Sequence, residues 1–573
     1  MAEIILSPGV FQIESDQSLY TQAPAALGAA IVGPTVGGRP FVPTYVTTFT
    51  QYLSIFGDIF KSGSYYYEYF TSQAAKEYFS NGGQSLLVTR IISGSANIGT
   101  YATSNVTAVL HPASSSIQLE AVTWGDQMNN TSSMASGALA SGSAFNIRWE
   151  VTNVNTGSNG GTFTIIVRRG DDNEAQKNIL ETWANMSLDP QLPNYVSRVV
   201  GDLKPTFNVT EGIVNFTGSF ANASKYIRIS SVTTPNVDSI DNNGNFKFTQ
   251  YSGSLPAVGS GSFGGSFAGG VTDTTAQKKM NETITTTNIQ GFHPDDYNRA
   301  FTLISNKDDY RFNVLLAPGV GLDGSSADNM IAVCEDRGDS IAIVDNSIYG
   351  TSVTAAVTNA AGSSSNYGAT YFPWIQLYSS NLGNAIWCPP STVIGGVLAF
   401  NDQVGAEWFA PAGLNRGGIP SVVRAERRLQ QTDRDTLYTG NVNPLATFPG
   451  TGVVVWGQKT LQRKPTSLDR VNVRRLLIAL KDFIGGVARG LVFESNTTVT
   501  RNRFLSQANP YLESVTQRQG LYAYKVVMDD TNNTADVIDR NQLVGQIYIQ
   551  PTKTAEFIIL NFNLTPTGAE FPA

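Results

Sequence analysis

Between Gly99 and Lys278 the chain loses the alternation of helix-like and strand-like segments seen on either side of it. Short alternating runs such as Ile117-Gln118-Leu119-Glu120-Ala121-Val122 and Phe163-Thr164-Ile165-Ile166-Val167 are divided by clusters of Asn, Gly and Ser, and Gly253–Gly270 is close to low complexity. Period-two alternation with turn residues between the runs predicts β-structure with long loops, in one piece or in two split near residue 200. A block of this texture inside flanks of another kind implies a discontinuous fold. It belongs on the outside, where water satisfies the backbone of its loops.

The flanks read as mixed α/β. Gly28–Gly33 is a strand bounded by glycines, and Leu86–Ile91 is another. Tyr66, Tyr69, Phe70, Gln73, Ala74 and Tyr78 lie near helical spacing and predict a helix over Tyr65–Phe79, stopped by Asn81-Gly82-Gly83. From Pro294 the alternation resumes with Phe312–Pro318, Ser325–Glu335 and Ser340–Asp345, and a second α/β half runs from Tyr371 to about Leu521. Both ends are strand-like: Ile4-Ile5-Leu6 and Val10-Phe11-Gln12-Ile13-Glu14 around Ser7-Pro8-Gly9, then Val544–Ile549 and Glu556–Leu564 around Pro551. The expected architecture is a multi-domain α/β protein: a mixed α/β core, a β-rich insertion, and extended N- and C-terminal arms that form strands. The boundaries are 1–23 for the first arm, 24–98 and 370–525 for the two parts of the core, 99–285 for the insertion, 286–369 for a middle α/β domain, and 526–573 for the last strands and arm. Unpaired strands either dock on a sheet edge or aggregate, so such ends signal interaction.

Only 14% of the 573 residues are charged, against ~25% in ordinary soluble proteins, while 41% are hydrophobic, enough for several cores. No apolar run approaches the ~18 residues of a membrane-spanning helix. The first residues lack a basic segment, which predicts no secretory leader and synthesis in the cytosol. Cys334 and Cys388 are the two cysteines, too few for a disulfide framework or a zinc cluster. A net charge of −7 argues against a nucleic-acid binder. Between Gly413 and Phe504, however, 15 Lys and Arg face 6 Asp and Glu, a local excess of +9 that leaves −16 elsewhere. Such a split lets one face of a subunit meet an oppositely charged face of a neighbour, or else reflects solvated helix faces.

Little of the sequence carries catalytic chemistry. His111 and His293 each precede a proline, read as loop residues and have no second ligand; no G-x-S-x-G occurs. Asp241-Asn242-Asn243-Gly244 lacks the closing glutamate of a calcium loop, since Gln250 stands there. Gly452–Thr460 has one residue too many before Lys459 for a phosphate loop, and its Val453-Val454-Val455-Trp456 prefers a buried strand. Gly319-Val320-Gly321-Leu322-Asp323-Gly324 is a better candidate. It follows a strand, precedes a helix, and has Asp345 21 residues past its last glycine, where a dinucleotide-binding unit holds ribose. Against that, Asp323 and Asp328 at the helix entrance would repel a pyrophosphate.

Taken along its length, the chain resembles the contractile tail sheath proteins of myovirus-type bacteriophages and the related R-type bacteriocin sheaths. The resemblance begins at Ser7-Pro8-Gly9-Val10-Phe11 and continues through Ala317-Pro318-Gly319, Cys334–Asp339, Tyr371–Trp374, Trp387–Ser391, Gly395-Gly396-Val397, Trp408–Gly413, Asn443-Pro444, Gly452–Leu461, Val471–Leu476, Phe493-Glu494 and Ala555–Ile558. It covers the first 90 residues and the stretch carrying the motifs from Ala317 to Ile558, while 99–285 matches no pattern and corresponds to the family's variable outer decoration.

The resemblance implies a non-enzymatic structural subunit without cofactor or metal. It would polymerise with itself as hexameric rings in a helical stack around an inner tail tube protein, bounded by baseplate and tail terminator proteins. Contraction would drive the tube through the bacterial envelope, with no nucleic-acid partner and no direct membrane insertion. Such a protein is assembled in the host cytoplasm and resides in the virion. Terminal arms would complete β-sheets in adjacent subunits, which assigns the linking role to Ile4, Ile5, Leu6, Val10, Phe11 and Ile13, and to Phe557, Ile558, Ile559 and Leu560. Val471–Leu491 reads as a helix with Val473, Leu476, Leu477, Leu480 and Ile484 inward. Its basic side, Arg470, Arg474 and Lys481, is expected to contact the tube or the next ring, or else to form salt bridges within the chain. Two other classes remain in view: a nucleotide-dependent oxidoreductase using 319–345, and a surface adhesin built on the Asn/Thr-rich β block.

Overall fold

The computed structural model describes residues 28–557 apart from 63–64, 93–102, 108–114, 124, 126–133, 136, 141, 145, 156–160, 209–210, 234–254, 265–283, 286–287 and 322–324. An eight-stranded sheet organises the molecule. Its strands in chain order are β1 (Ala29–Gly33), β2 (Thr44–Val46), β3 (Leu86–Arg90), β4 (Val314–Gly321), β5 (Ile341–Asp345), β6 (Gly368–Phe372), β7 (Asn443–Phe448) and β8 (Gly452–Val455), and their spatial order is β2-β3-β1-β4-β5-β6-β7-β8. The six central strands are parallel, with Ala29 beside both Leu86 and Val314, Val314 beside Ile341, Ala342 beside Gly368 and Tyr371 beside Asn443. The two edge strands run antiparallel.

Parallel strands covered on both faces require continuous apolar runs, and β1, β3 and β5 are buried at every position. Alternate residues then serve opposite faces. Ala30, Val32, Leu87, Leu315, Ala342 and Val344 join one core with helices α2 (Pro294–Ile304) and α3 (Ser325–Arg337). Ile31, Leu86, Val88, Leu316, Ile341 and Ile343 join the other with α1 (Phe70–Ser80) and α4 (Ser391–Val404). The last two helices approach closely because Gly396 carries no side chain: a Cβ there would lie 2.8 Å from the Glu77 carbonyl oxygen. Each Leu or Ile fully buried in these cores contributes about 1.5–3 kcal/mol.

The helix expected over Tyr65–Phe79 is in fact a strand followed by a helix. Tyr65–Glu68 pairs with Ile59–Ser62, and the helix starts only at Phe70. The aromatic run chooses the hairpin because Tyr67 stacks on Phe60 at 5.5 Å between ring centroids and Tyr69 at 4.9 Å, filling the core. Cross-strand aromatic pairs of this kind outweigh the weak helical preference of tyrosine.

Residues 103–262 contribute separate sheets. One has the antiparallel strands Ile147–Asn155, Thr162–Arg169, Ile179–Met186 and Gly259–Ser262; another has Thr103–Thr107, Ser115–Ala121 and Ile227–Val232. They enclose their own core of Ile117, Leu119, Val151, Ile165 and Val167. A hairpin, Lys204–Asn208 with Ile213–Thr217, reaches back to the α/β core, where Phe207 stacks on Phe41 at 5.1 Å.

Glu68 closes the Ile59–Glu68 hairpin in a buried position and accepts a 2.5 Å bond from the Ser379 hydroxyl. Burial, and then the nearby Asp58 charge, raise its carboxyl to about 7. A folded-state value above the unfolded one means that the folded form holds the proton more tightly, so stability is lost as pH rises from about 4.5 through 7. Glu68→Gln is therefore expected to melt higher than the parent at pH 8 and alike at pH 4, which melting curves across that range would test.

Candidate functional site

In the glycine-rich unit at 319–345, the described residues, which exclude 322–324, leave no room for a ligand. Strand β4 continues through Gly319 to Gly321, with its register against β5 shifted between Leu316 and Gly321. Gly319 takes φ +92°, and a Cβ there would sit 3.2 Å from both Ile284 Cδ1 and Ile289 Cγ2, so hydrophobic side chains occupy the space a phosphate would need. The cleft left between residues 284–294, 319–321 and 347–348 holds about 10 Å³, no more than one water. Asp345, the expected ribose ligand, is wholly buried. It accepts from the Gly319 N–H (2.9 Å), the Ser391 N–H (3.0 Å) and the Ser391 hydroxyl (2.7 Å). Its carboxyl thus ties β4, β5 and the start of α4 together, and burial raises it to about 6 against the pull of those bonds. The oxidoreductase reading is not supported.

The second phosphate-loop look-alike resolves as strand β8, with the Lys459 ammonium donating to the Tyr438 carbonyl (2.8 Å) over that residue's ring. His293 caps α2, its Nδ1 accepting from the Asp295 N–H while Asp296 accepts from the His293 N–H, and Cys334 and Cys388 are buried free thiols. Removing Asp345 strands three buried donors, each worth about 1–3 kcal/mol. Asp345→Ala is expected to lose about 3 kcal/mol in urea unfolding, and the parent to show no saturable nicotinamide-cofactor binding by calorimetry.

The C-terminal quarter offers a different kind of site. Helix α5 (Gln431–Thr439) precedes β7, and α6 (Val471–Arg489) and α7 (Thr498–Gln517) lead into a two-stranded antiparallel ribbon of β9 (Leu521–Val527) and β10 (Gln546–Pro551). One ribbon face, Tyr524, Val526, Ile547 and Ile549, packs on Leu476, Leu480, Leu512 and Val515. The other exposes Tyr548, and the bulged Tyr522 is also exposed. Among the described residues β9 and β10 pair only with each other, so each presents an outer edge of backbone donors and acceptors. Beyond the turn after α6, Val492 and Phe493 stand exposed.

Much of the basic segment finds its counter-charges within the chain. Arg475, buried, forks onto Asp402 of α4 at 2.8 and 2.5 Å. Arg489 meets Asp308 and Arg501 meets Asp530. Of the three cations assigned to the tube or the next ring, Arg470 grips Glu556 at 2.7 and 2.9 Å and Asp469 at 2.8 Å. Arg474 is buried, bonded to Asn366 Oδ1 at 2.5 Å with its guanidinium 4.0 Å from the Tyr367 ring centre. Lys481 is exposed, 3.3 Å from the same tyrosine's hydroxyl. Of the inward stripe, Val473, Leu476 and Leu480 are buried, while Leu477 and Ile484 are half-buried. Phe557 is exposed; Ile4, Ile5, Leu6, Val10, Phe11, Ile13, Ile558, Ile559 and Leu560 lie outside the described residues. Sequence reasoning missed Glu556 as the partner of Arg470, 86 residues away, and Tyr438 and Gln458 as further donors to Glu556, because nothing local links positions so far apart. Asp402→Ala leaves the Arg475 guanidinium buried and unpaired, and is expected to cost about 3 kcal/mol by denaturant unfolding, most of it recovered in Asp402→Ala/Arg475→Met.

Residues 290–461 match the phage tail sheath protein central domain, and residues 463–565 match the phage tail sheath C-terminal domain. The tail sheath protein of Vibrio phage KVP40 is 43% identical over 185 residues, and that of Enterobacteria phage T4 is 42% identical over the same length. Each alignment covers 32% of this chain and 28% of the relative, so the chain matches less than a third of the length of these curated proteins. The crystal structure of the sheath tail protein Lin1278 from Listeria innocua superposes with a TM-score of 0.52 over 92% of this chain and 95% of its own, at 10% identity, which shows a shared fold.

Proposed function

We propose that this chain, which carries the central and C-terminal domains of the phage tail sheath family, is the structural subunit of a contractile tail sheath. It polymerises with itself as stacked hexameric rings around an inner tail tube, bounded by baseplate and terminator proteins. The sheath contracts to drive the tube through the bacterial envelope. The subunit assembles in the host cytoplasm and resides in the virion. Its work is mechanical, without cofactor or bound metal.

The observation that carries this reading is the β9–β10 ribbon, open along both outer edges and fixed by its inner face to a helical pair. An added strand bonds through its main chain whatever the neighbouring side chains are, so such a link persists while polar contacts elsewhere are exchanged. The strand-like termini, 4–14 and 556–564, are the natural donors from adjacent copies. The strands of 99–285 form the outer decoration of the sheath. Of the three cations first assigned to the tube, Lys481 alone is exposed to serve a tube or inter-ring contact. Contraction then needs two packings of modest energy difference per subunit, summed over a large array.

Negative-stain microscopy of the purified chain beside a copy lacking residues 1–20 tests this. Striated hollow cylinders from the intact chain and only monomers from the truncation are expected. Cylinders from both would remove the N-terminal strand from the mechanism, and uniform monomers from both at high concentration would contradict self-assembly.

A further inference from the structure

Five residues beyond the end of β10 the chain is caught in a built site. The Glu556 carboxylate accepts a fork from Arg470 Nε and Nη2 (2.7 and 2.9 Å), the Tyr438 hydroxyl (2.5 Å) and Gln458 Nε2 (3.1 Å). Gln458 is 2% exposed and also donates to the Thr554 hydroxyl at 2.8 Å, so two residues of the terminal segment are held by one amide. The three receptor groups come from separate elements. Tyr438 ends α5, Gln458 follows β8, and Arg470 caps α6. Lys459 lies 4.4 Å from the Tyr438 ring centre and Arg470 5.9 Å from it, and Asp469 answers only one of these two cations. The site therefore lacks one negative charge until Glu556 enters. These bonds hold the Glu556 carboxyl below the usual range despite its burial, as expected for a charge received by preformed donors.

We infer that Arg470, Tyr438 and Gln458 form a carboxylate-recognition site on the α/β core whose ligand is Glu556 of the chain's own C-terminal segment, a latch that fixes where and in which direction the last residues leave the subunit. Thr552 is still bonded to Gln519 and Gly520, but residues 553–557 belong to no strand and largely lie at the surface, and among the described residues their hydrogen bonds are those to Arg470, Tyr438 and Gln458. The latch rests on the sheath reading only in its consequence for assembly. Its existence stands on the geometry of the single chain.

Lys553 lies three residues before Glu556, inside the tethered segment, and provides a direct readout. Trypsin cuts transiently opened segments in proportion to their open population. Cleavage after Lys553 in Glu556→Gln is expected to run roughly tenfold or more faster than in the parent, with the melting temperature within about 2 °C. The charge-swapped pair Arg470→Glu/Glu556→Arg is expected to recover at least part of the protection that either single swap loses. Equal cleavage in the parent and Glu556→Gln would overturn the latch, whether or not the chain forms cylinders. If the parent forms cylinders, Glu556→Gln should form at least tenfold fewer at the same concentration. Unimpaired assembly by a variant whose Lys553 is freely cut would leave a latch without influence on assembly and overturn that consequence. Failure of the parent itself to assemble would count against the sheath reading and leave the proteolysis result to decide the latch.

Discussion

The pairing of Ala29–Ile31 with Val314–Leu316 is the constraint on which the rest depends. Strand β1 sits between β3 and β4, so residues that are far apart in sequence lie side by side in the middle of a parallel sheet. Joining such distant segments is entropically demanding, and because the strands are parallel the connecting chain must cross back from the carboxyl end of the sheet to its amino end. The solution is a pair of fully apolar strands that each serve both faces, with helices closing the cores above and below. The sheets of residues 103–262, inserted between these strands in sequence, fold largely around a core of their own.

Within that frame the buried charges act as ties between elements. Asp345 joins β4 and β5 to α4, Arg475 joins α6 to α4, and Arg337 of α3 donates to the carbonyls of Ile304 and Tyr310. A buried ionised group is tolerated only where hydrogen bonds receive it, and each of these groups makes two or more. The central sheet and the helical pair that carries the terminal ribbon are thereby one connected structure. On the proposed function this connection is what lets a subunit move as a unit while strand links at its ends transmit force.

How much of this could be read from the sequence depends on the range of the interaction. The helix at Val471–Arg489 was legible because its apolar positions repeat at helical spacing, and β1 and β5 because unbroken apolar runs flanked by glycine or aspartate suit a buried parallel strand. The hairpin ending at Glu68 was not legible. Three successive tyrosines satisfy either period, and the choice is made by Phe60, which belongs to the partner strand. Asp345 was singled out correctly as a special residue but for the wrong chemistry, since its spacing from the glycines serves a turn and a helix start as well as a ribose. The basic stretch was visible as a charge excess. Whether a given cation faced outward was not, because Arg475 and Arg470 find Asp402 and Glu556 only after the fold brings them together.

The central claim is that copies of this chain join through the open edges of the terminal ribbon. Amide hydrogen exchange compared between monomer and assembled cylinder tests it directly. The account predicts that the outer-edge amides of Leu521–Val527 and Gln546–Gln550 exchange readily in the monomer and become strongly protected on assembly, while Ala29–Gly33 and Ile341–Asp345 stay protected throughout. Ribbon amides that exchange equally fast in both states would contradict it.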